Sequence, residues 1–244
     1  VDNGLVVYVH DSSDTLTGGF DVSLADGGED GALPATGSVV IGIDPVDDAP
    51  VQTVNTGGTV AEEGTLAITS TELAATDSDT AATALVYNIT SGPANGQVEL
   101  TSNPGVAVTS FTQDDVDNGL VVYVHDGSET LTGDFDFTLS DATTTLGSDT
   151  FSITVTPVND APQLTVTNPA NILEGGTAAI SAAVLAGTDA DDAASDITYT
   201  VSNLVNGQVE LTSNPGVAVL SFTQDDVDNG LVVYVHDSSD TLTG

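Results

Sequence analysis

One repeated stretch constrains this chain more than anything else in it. Phe111-Thr112-Gln113-Asp114-Asp115-Val116-Asp117-Asn118-Gly119-Leu120-Val121-Val122-Tyr123-Val124-His125-Asp126 recurs letter for letter from Phe222 to Asp237. Its second half opens the chain at Val1. A polar, Asp-rich turn ending in Asn-Gly runs into a short apolar, β-branched strand that stops at His-Asp. Val116 lies 115 residues after Val1, and Val227 lies 111 residues after Val116. Asn95 to Asp126 and Asn206 to Asp237 differ only at Thr109 and Leu220, and Val1 to Gly18 is identical to Val227 to Gly244. A period of this kind means that each copy is one structural unit in an array, so the 244 residues read as a window on a longer series of repeats.

The segments between the copies carry strand signals. Leu5 to Val9, Phe20 to Leu24 and Val39 to Ile43 read as strands separated by turns rich in Gly, Ser and Asp. The same reading gives strands at 65–69, 84–90, 96–101, 120–125, 134–140 and 150–156. Asn95-Gly96 reads as a hairpin turn between two of them. No segment holds a helical period over a dozen residues, although the Ala and Leu content of 70–77 and 178–186 suits a turn or two of helix. Two proline-flanked linkers, Pro45 to Pro50 and Pro157 to Pro162, divide the chain. The organisation expected is the C-terminal part of a repeat with its linker (1–50), a complete repeat with its linker (51–162), and the N-terminal part of the next repeat (163–244). Short strands with regular turns predict an all-β sandwich, and stiff linkers predict a linear rod of sandwiches. Residues 1–44 and 163–244 are complementary parts of one sandwich, so neither is expected to bury a full core alone.

Charge narrows the partners. The chain has 37 acidic residues and no Lys or Arg. Nucleic acid is excluded, because phosphate binding rests on Lys and Arg, and anionic membrane surfaces are excluded for the same reason. Hard divalent cations, which prefer carboxylate and carbonyl oxygens, are the partners this charge attracts. Cysteine is absent, which removes disulfides and thiolate metal sites and fits a long secreted bacterial protein. No run of apolar residues is long enough to insert in a membrane.

Several motifs combine into a resemblance. Phe111 to Thr130 resembles the signature of the chondroitin sulfate proteoglycan repeat. Pro157-Val158-Asn159-Asp160-Ala161-Pro162, Glu174-Gly175-Gly176 and Asp189-Ala190-Asp191 resemble the joining and early-strand motifs of the same cadherin-like superfamily. The resemblance implies a seven-stranded, Greek-key cadherin-like sandwich, bound calcium, and a place in a giant bacterial adhesin or extracellular fibre. The first copy departs from the pattern: Asp11-Ser12-Ser13-Asp14 stands for Asp-Gly-Ser-Glu, and Asp47 replaces Asn in the linker.

Strand parity places the acids independently. With the incoming linker at the top of the complete repeat, Glu62, Glu63, Asp126 and Glu129 fall at the bottom, and Asp77, Asp79 and Asp141 at the top. Bottom acids of one repeat, linker acids and top acids of the next are therefore expected to converge. The first set of candidate calcium ligands is Asp11, Asp14, Asp47, Asp48, Asp77 and Asp79. The second is Glu62, Glu63, Asp126, Glu129, Asn159, Asp160, Asp189 and Asp191. The bland alternative is that Asp and Asn occupy turns for their own local hydrogen bonds. The absence of cationic side chains favours the ion.

Other constellations are weak. Asp115-Val116-Asp117-Asn118-Gly119 resembles the start of an EF-hand loop, but its Gly comes one position early and a strand occupies the rest. His10, His125 and His236 hold one repeat position and suit a structural role beside the following Asp. No Ser or Thr has an identifiable base, and no carboxylate pair stands out as catalytic. The chain is expected to be a non-enzymatic, secreted or cell-surface spacer whose partners are adjacent repeats or neighbouring copies in a fibre. The competing reading is a binding module whose repeats hold polysaccharide or a cell-surface ligand.

Overall fold

A computed structural model describes residues 6–26, 31 and 33–240. The chain divides into two compact units, Val1–Thr156 and Pro157–Gly244. The first contains a hairpin and a closed all-β sandwich. In the hairpin, β1 (Thr17–Leu24) pairs antiparallel with β2 (Ala35–Gly42), with Phe20 opposite Val39.

The sandwich begins after the first linker with β3 (Val51–Asn55), β4 (Gly58–Ala61), β5 (Thr65–Ile68) and β6 (Leu73–Thr76). It continues through β7 (Val86–Ser91), β8 (Gly96–Leu100), β9 (Ser110–Thr112), a short helix α1 (Gln113–Asp117), β10 (Val121–His125), β11 (Phe135–Ser140), β12 (Asp149–Phe151) and β13 (Ile153–Thr156). One sheet has the order β5-β10-β8 and the other β12-β11-β7-β9. Two smaller pairs complete it: β3 with β6 antiparallel, and β4 with β13 parallel.

Period-two burial explains why these residues are strands. Val121, Tyr123 and His125 of β10 point inward while Val122 and Val124 do not, and Phe135, Phe137 and Leu139 of β11 repeat the pattern. Their side chains meet Tyr87, Phe111, Phe151, Ile68 and Leu73 in one core. Tyr87 stacks on Phe111 with ring centroids 5.1 Å apart and meets Phe137 edge-on at 5.4 Å. Such aromatic pairs contribute about 1 kcal/mol each beyond their buried area.

Two local readings of the sequence are corrected. Asn95-Gly96 does not close a hairpin, because β7 pairs with β9 and β11 whereas β8 pairs with β10. The turn instead carries the chain from one sheet to the other. Gly96 has φ 146°, and a Cβ there would lie 2.3 Å from the Val124 carbonyl oxygen, so Gly is required by close approach rather than by a hairpin turn. The stretch 70–77 is not helical: Leu73 and Ala75 are buried in β6 while Thr76 is exposed. Likewise the strands Thr177–Ala179 and Leu185–Thr188 occupy the two ends of 178–186, and no helix forms there. The helix lies in the Asp-rich turn. Thr112 accepts from the Asp115 N–H, and Asp115 accepts from the Thr112 N–H, a capping box that starts α1.

The second unit repeats the first part of this plan. It has β14 (Gln163–Val166), β15 (Thr177–Ala179), β16 (Leu185–Thr188), β17 (Thr198–Thr200), β18 (Gly207–Leu211), β19 (Ser221–Thr223), α2 (Gln224–Asp228) and β20 (Val232–His236). Its pairings are β14-β16, β15-β20-β18 and β17-β19. The buried cluster is small, comprising Val209, Phe222, Val227 and Val232.

A polar latch ties two strand pairs of the sandwich. Asp149 of β12 accepts from Gln52 Nε2 at 2.7 Å and Asn55 Nδ2 at 2.9 Å, both on β3. These donors, Gln52 first, hold the Asp149 carboxyl below the usual carboxylate range. A lowered folded-state pKa stabilises the fold above about pH 4 and is lost as pH falls through the folded value. Asp149→Ala should therefore cost about 1 kcal/mol at neutral pH, discounted for its exposure. The difference from wild type in denaturant melts should shrink to nothing in acid.

Candidate cation site

Three carboxylates from separate segments meet at one end of the sandwich in the first unit. The carboxylate oxygens offered by Asp14, Asp48 and Asp79 all lie within 4.8 Å of one another, and all three residues are exposed. Two oxygens each about 2.4 Å from one ion are at most about 4.8 Å apart, so the spacing admits one calcium-sized cation. Asp14 precedes β1, Asp48 lies in the linker, and Asp79 follows β6.

Local hydrogen bonds fix this arrangement. The Asp48 N–H donates to Asp79 Oδ2 at 2.8 Å, and Ser78 Oγ donates to Asp48 Oδ2 at 3.0 Å. Asp77 Oδ1 accepts from the Asp79 and Thr80 N–H groups, each at 2.8 Å, which sets the turn that presents Asp79. Thr143 Oγ1 donates to Asp47 Oδ2 and sits 3.1 Å from Asp141 Oδ1. The Thr144 and Thr143 N–H groups hold the Asp141 carboxyl below its usual range.

The donor set fits a hard cation. Asp77 Oδ2 and Asp141 Oδ2 are screened from solvent and have no hydrogen-bond partner. A buried acceptor left unsatisfied costs about 1–3 kcal/mol. With no Lys or Arg in the sequence, a cationic side chain cannot supply the compensation. Every ligand atom here is oxygen, the donor type calcium prefers.

The cadherin-like family profile matches residues 50–155 and 162–244. The chain belongs to the cadherin-like family. Human extracellular matrix organizing protein FRAS1 is 35% identical over 209 residues, covering 84% of this chain and 5% of that protein. Human chondroitin sulfate proteoglycan 4 is 33% identical over 242 residues, covering 97% of this chain and 10% of that protein. The chain thus spans at most a tenth of the length of these relatives. Among solved structures, repeats EC21-23 of human CDH23 align at 15% identity with a TM-score of 0.46, covering 92% of this chain and 65% of that one.

The other expected ligands of this cadherin-like chain have local partners within each unit. Asp11 closes its own turn, accepting from the Ser13 N–H at 3.1 Å and Ser13 Oγ at 2.6 Å, which lowers its pKa. Asp126 does the same with Ser128. Glu62, Glu63, Asp126 and Glu129 lie at the opposite end of the sandwich, where Glu62 is buried and the Glu63 N–H reaches His125 Nδ1 at 3.3 Å. In the second unit the Asp160 N–H donates to Asp191 Oδ2, and Asp189 Oδ1 accepts from the Asp191 and Asp192 N–H groups. That is the Asp48, Asp79 and Asp77 pattern repeated. Asn159 Nδ2 turns back to the Asp160 carbonyl at 2.7 Å.

The three histidines are structural. His125 Nδ1 accepts from the Gly127 N–H at 3.2 Å as well as from Glu63, while Nε2 faces Thr130 Oγ1 at 3.1 Å. His10 Nδ1 accepts from Ser12, and His236 Nδ1 from Gly175 and Ser238. Each ring staples the turn that follows it.

Asp141 and Thr143, which support the linker acid Asp47 at this end, are not among the ligands expected from the sequence. Parity alone put Asp141 at the correct end. The pattern Asp141-Ala142-Thr143-Thr144 at a strand's end is the available signal, because Asp so placed caps the N–H groups two and three residues on.

Proposed function

We propose that this chain is a calcium-stiffened segment of an extracellular repeat array, serving as a fibre or as the stalk of an adhesin. The observation that carries the reading is the Asp14, Asp48 and Asp79 cluster, drawn from a preceding segment, a linker and the top of the following sandwich. An ion held by all three ties the preceding segment and the linker to the sandwich. The linker and turn acids Asp48 and Asp79 recur in the sequence of the next copy as Asp160 and Asp191, so the proposal extends to the linkers of the array. The repeat unit runs from 51 to 162, with 1–50 and 163–244 as partial copies. Relatives named as matrix and proteoglycan proteins support an extracellular, non-enzymatic role. The lack of cysteine, Lys and Arg supports a bacterial surface protein over an animal matrix protein.

The polysaccharide-binding alternative has less support. Among the described residues the exposed aromatic rings are Tyr8 and Phe20, and both hold positions whose equivalents, Tyr123 and Phe135, are core.

Titration calorimetry of the 244-residue chain with calcium tests the proposal. Binding is expected in the wild type, with the first-linker site lost in Asp48→Asn/Asp79→Asn. Small-angle scattering should show a longer maximum dimension with calcium than with chelator. Absence of both effects would mean that these acids are solvated turn residues.

A further inference from the structure

The two linkers are alike except where chemistry makes the difference count. Asp44-Pro45-Val46-Asp47-Asp48-Ala49-Pro50 stands where the next copy has Thr156-Pro157-Val158-Asn159-Asp160-Ala161-Pro162. The first linker therefore begins with Asp before Pro, and the second with Thr before Pro. Of the nine prolines in the sequence, Pro45 alone follows an Asp.

The complete repeat shows what Thr does at this position. The Thr156 carbonyl accepts from the Glu62 N–H at 2.9 Å, and Thr156 Oγ1 donates to the Val60 carbonyl at 3.2 Å. An ionised Asp has no proton to donate, so Asp44 does not repeat the hydroxyl's contact. Asp44 is exposed, and its carboxylate has no hydrogen-bond partner among the described residues. Asp47 and Asp48 of the same linker differ in this, since they accept from Thr143 and Ser78. Exposure belongs to the position itself, because Thr156 and Pro157 of the complete repeat are exposed as well.

We propose that the Asp44–Pro45 bond is a scission point built into the first linker, which mild acid opens without an enzyme. The Asp44 carboxyl oxygen attacks the main-chain carbonyl carbon of its own residue and closes a five-membered cyclic anhydride. The C–N bond to Pro45 breaks, and the carboxyl proton passes to the proline nitrogen, which leaves as a secondary amine. Water then opens the anhydride, so Asp44 ends as a new C-terminus with two carboxyl groups. Nothing is oxidised or reduced, and water is the only co-reactant. Two features single out this bond. Nucleophile and target sit in one residue, so ring closure replaces an encounter. The proline nitrogen bears no N–H and is more basic than other amide nitrogens, so it takes the proton more readily. Thr156 has no carboxyl and cannot close the anhydride. The titratable groups lining the same cavity as Asp44 are His10 and Asp14, before β1, and Asp48 in the linker. Acid discharges carboxylates and charges imidazole, so these neighbours do not strip Asp44 of its proton. The proposal is independent of the calcium reading, because Asp44 is not a candidate ligand.

Intact-mass spectrometry of the 244-residue chain tests it, with chelator present throughout so that bound calcium plays no part. After warming at about pH 3, below the ordinary carboxylate range, the chain should yield fragments 1–44 and 45–244. Their masses should sum to that of the chain plus one water. This cut should run at least about tenfold faster than any other, the Thr156–Pro157 bond included. Asp44→Thr, which restores the residue of the complete repeat, should leave the chain whole over the same period. Asp44→Glu keeps the carboxyl but requires a larger ring, and should be cut more slowly. Both substitutions fall on an exposed linker residue, so folding is not at stake. A chain that stays whole, cuts spread evenly over many bonds, or either variant cut at this bond as fast as the wild type overturns the proposal.

Discussion

Transfer from millimolar calcium into chelator should lower the melting temperature of this cadherin-like chain by roughly 10 °C. A ligand at a hundred times its dissociation constant stabilises the folded state by about 2.7 kcal/mol per site. For a domain of about 100 residues, 1 kcal/mol shifts the midpoint by roughly 4–8 °C. Substituting the cluster gives a result that simple damage to the fold cannot mimic. Asp14→Asn/Asp48→Asn/Asp79→Asn removes three like charges whose oxygens lie within 4.8 Å of one another. In chelator the triple variant should therefore melt at or above the wild type, because repulsion is relieved. In calcium it should melt well below, because the ion has lost its ligands. The two melting curves exchange order when calcium is added, and differential scanning calorimetry reads this directly. If the order is the same in both buffers, the cluster does not hold a cation.

Gln113→Ala should destabilise the complete repeat by about 3–5 kcal/mol, enough to lower its urea midpoint visibly. Gln113 is 2% exposed and opens helix α1. Its Oε1 accepts from the Ala75 N–H at 2.8 Å and from Tyr87 Oη at 2.7 Å, and its Nε2 donates to Asp117 Oδ1 at 2.7 Å. Removal leaves two buried donors without an acceptor and also leaves a cavity. Tyr87→Phe alone should cost less, because Gln113 keeps its other partners. In the double variant the losses should fall short of additive, since Tyr87 and Gln113 share one bond. Full additivity would show that the bond contributes nothing. Gln224 makes the same contacts to Gly187 and Tyr199, so the design is repeated in the second unit.

The fold was legible where burial alternates along the strand. Leu-Val-Val-Tyr-Val at 120–124 and Phe-Asp-Phe at 135–137 state their inward faces directly, and repetition confirms which letters belong together. What misled was local chemistry with two uses. Asn95-Gly96 suits a tight hairpin, but it crosses between sheets here, because pairing partners are chosen by distant strands. The Asp-rich stretch 112–118 reads as a turn, yet Thr112 and Asp115 form a capping box that makes it a helix too short to show a period. Gln113 was invisible for a different reason: a single buried amide carries no pattern. At the cation site, sequence parity brought Asp14, Asp48, Asp77 and Asp79 to one end. It had no means of distinguishing them from Asp11, which spends its carboxylate on Ser13.

The parallel pairing of β4 with β13 has a consequence for load. These strands lie near the two points where the chain enters and leaves the repeat, at Val51 and Thr156. Tension applied along the polypeptide pulls parallel neighbours in opposite directions along their own length. The bonds between Gly58–Ala61 and Ile153–Thr156 run across that direction, so they are sheared together rather than peeled one at a time. A repeat so clamped resists pulling until the whole register slips, and then gives way abruptly. Each repeat in a tethered array would then act as a tensile fuse that fails singly and leaves its neighbours intact.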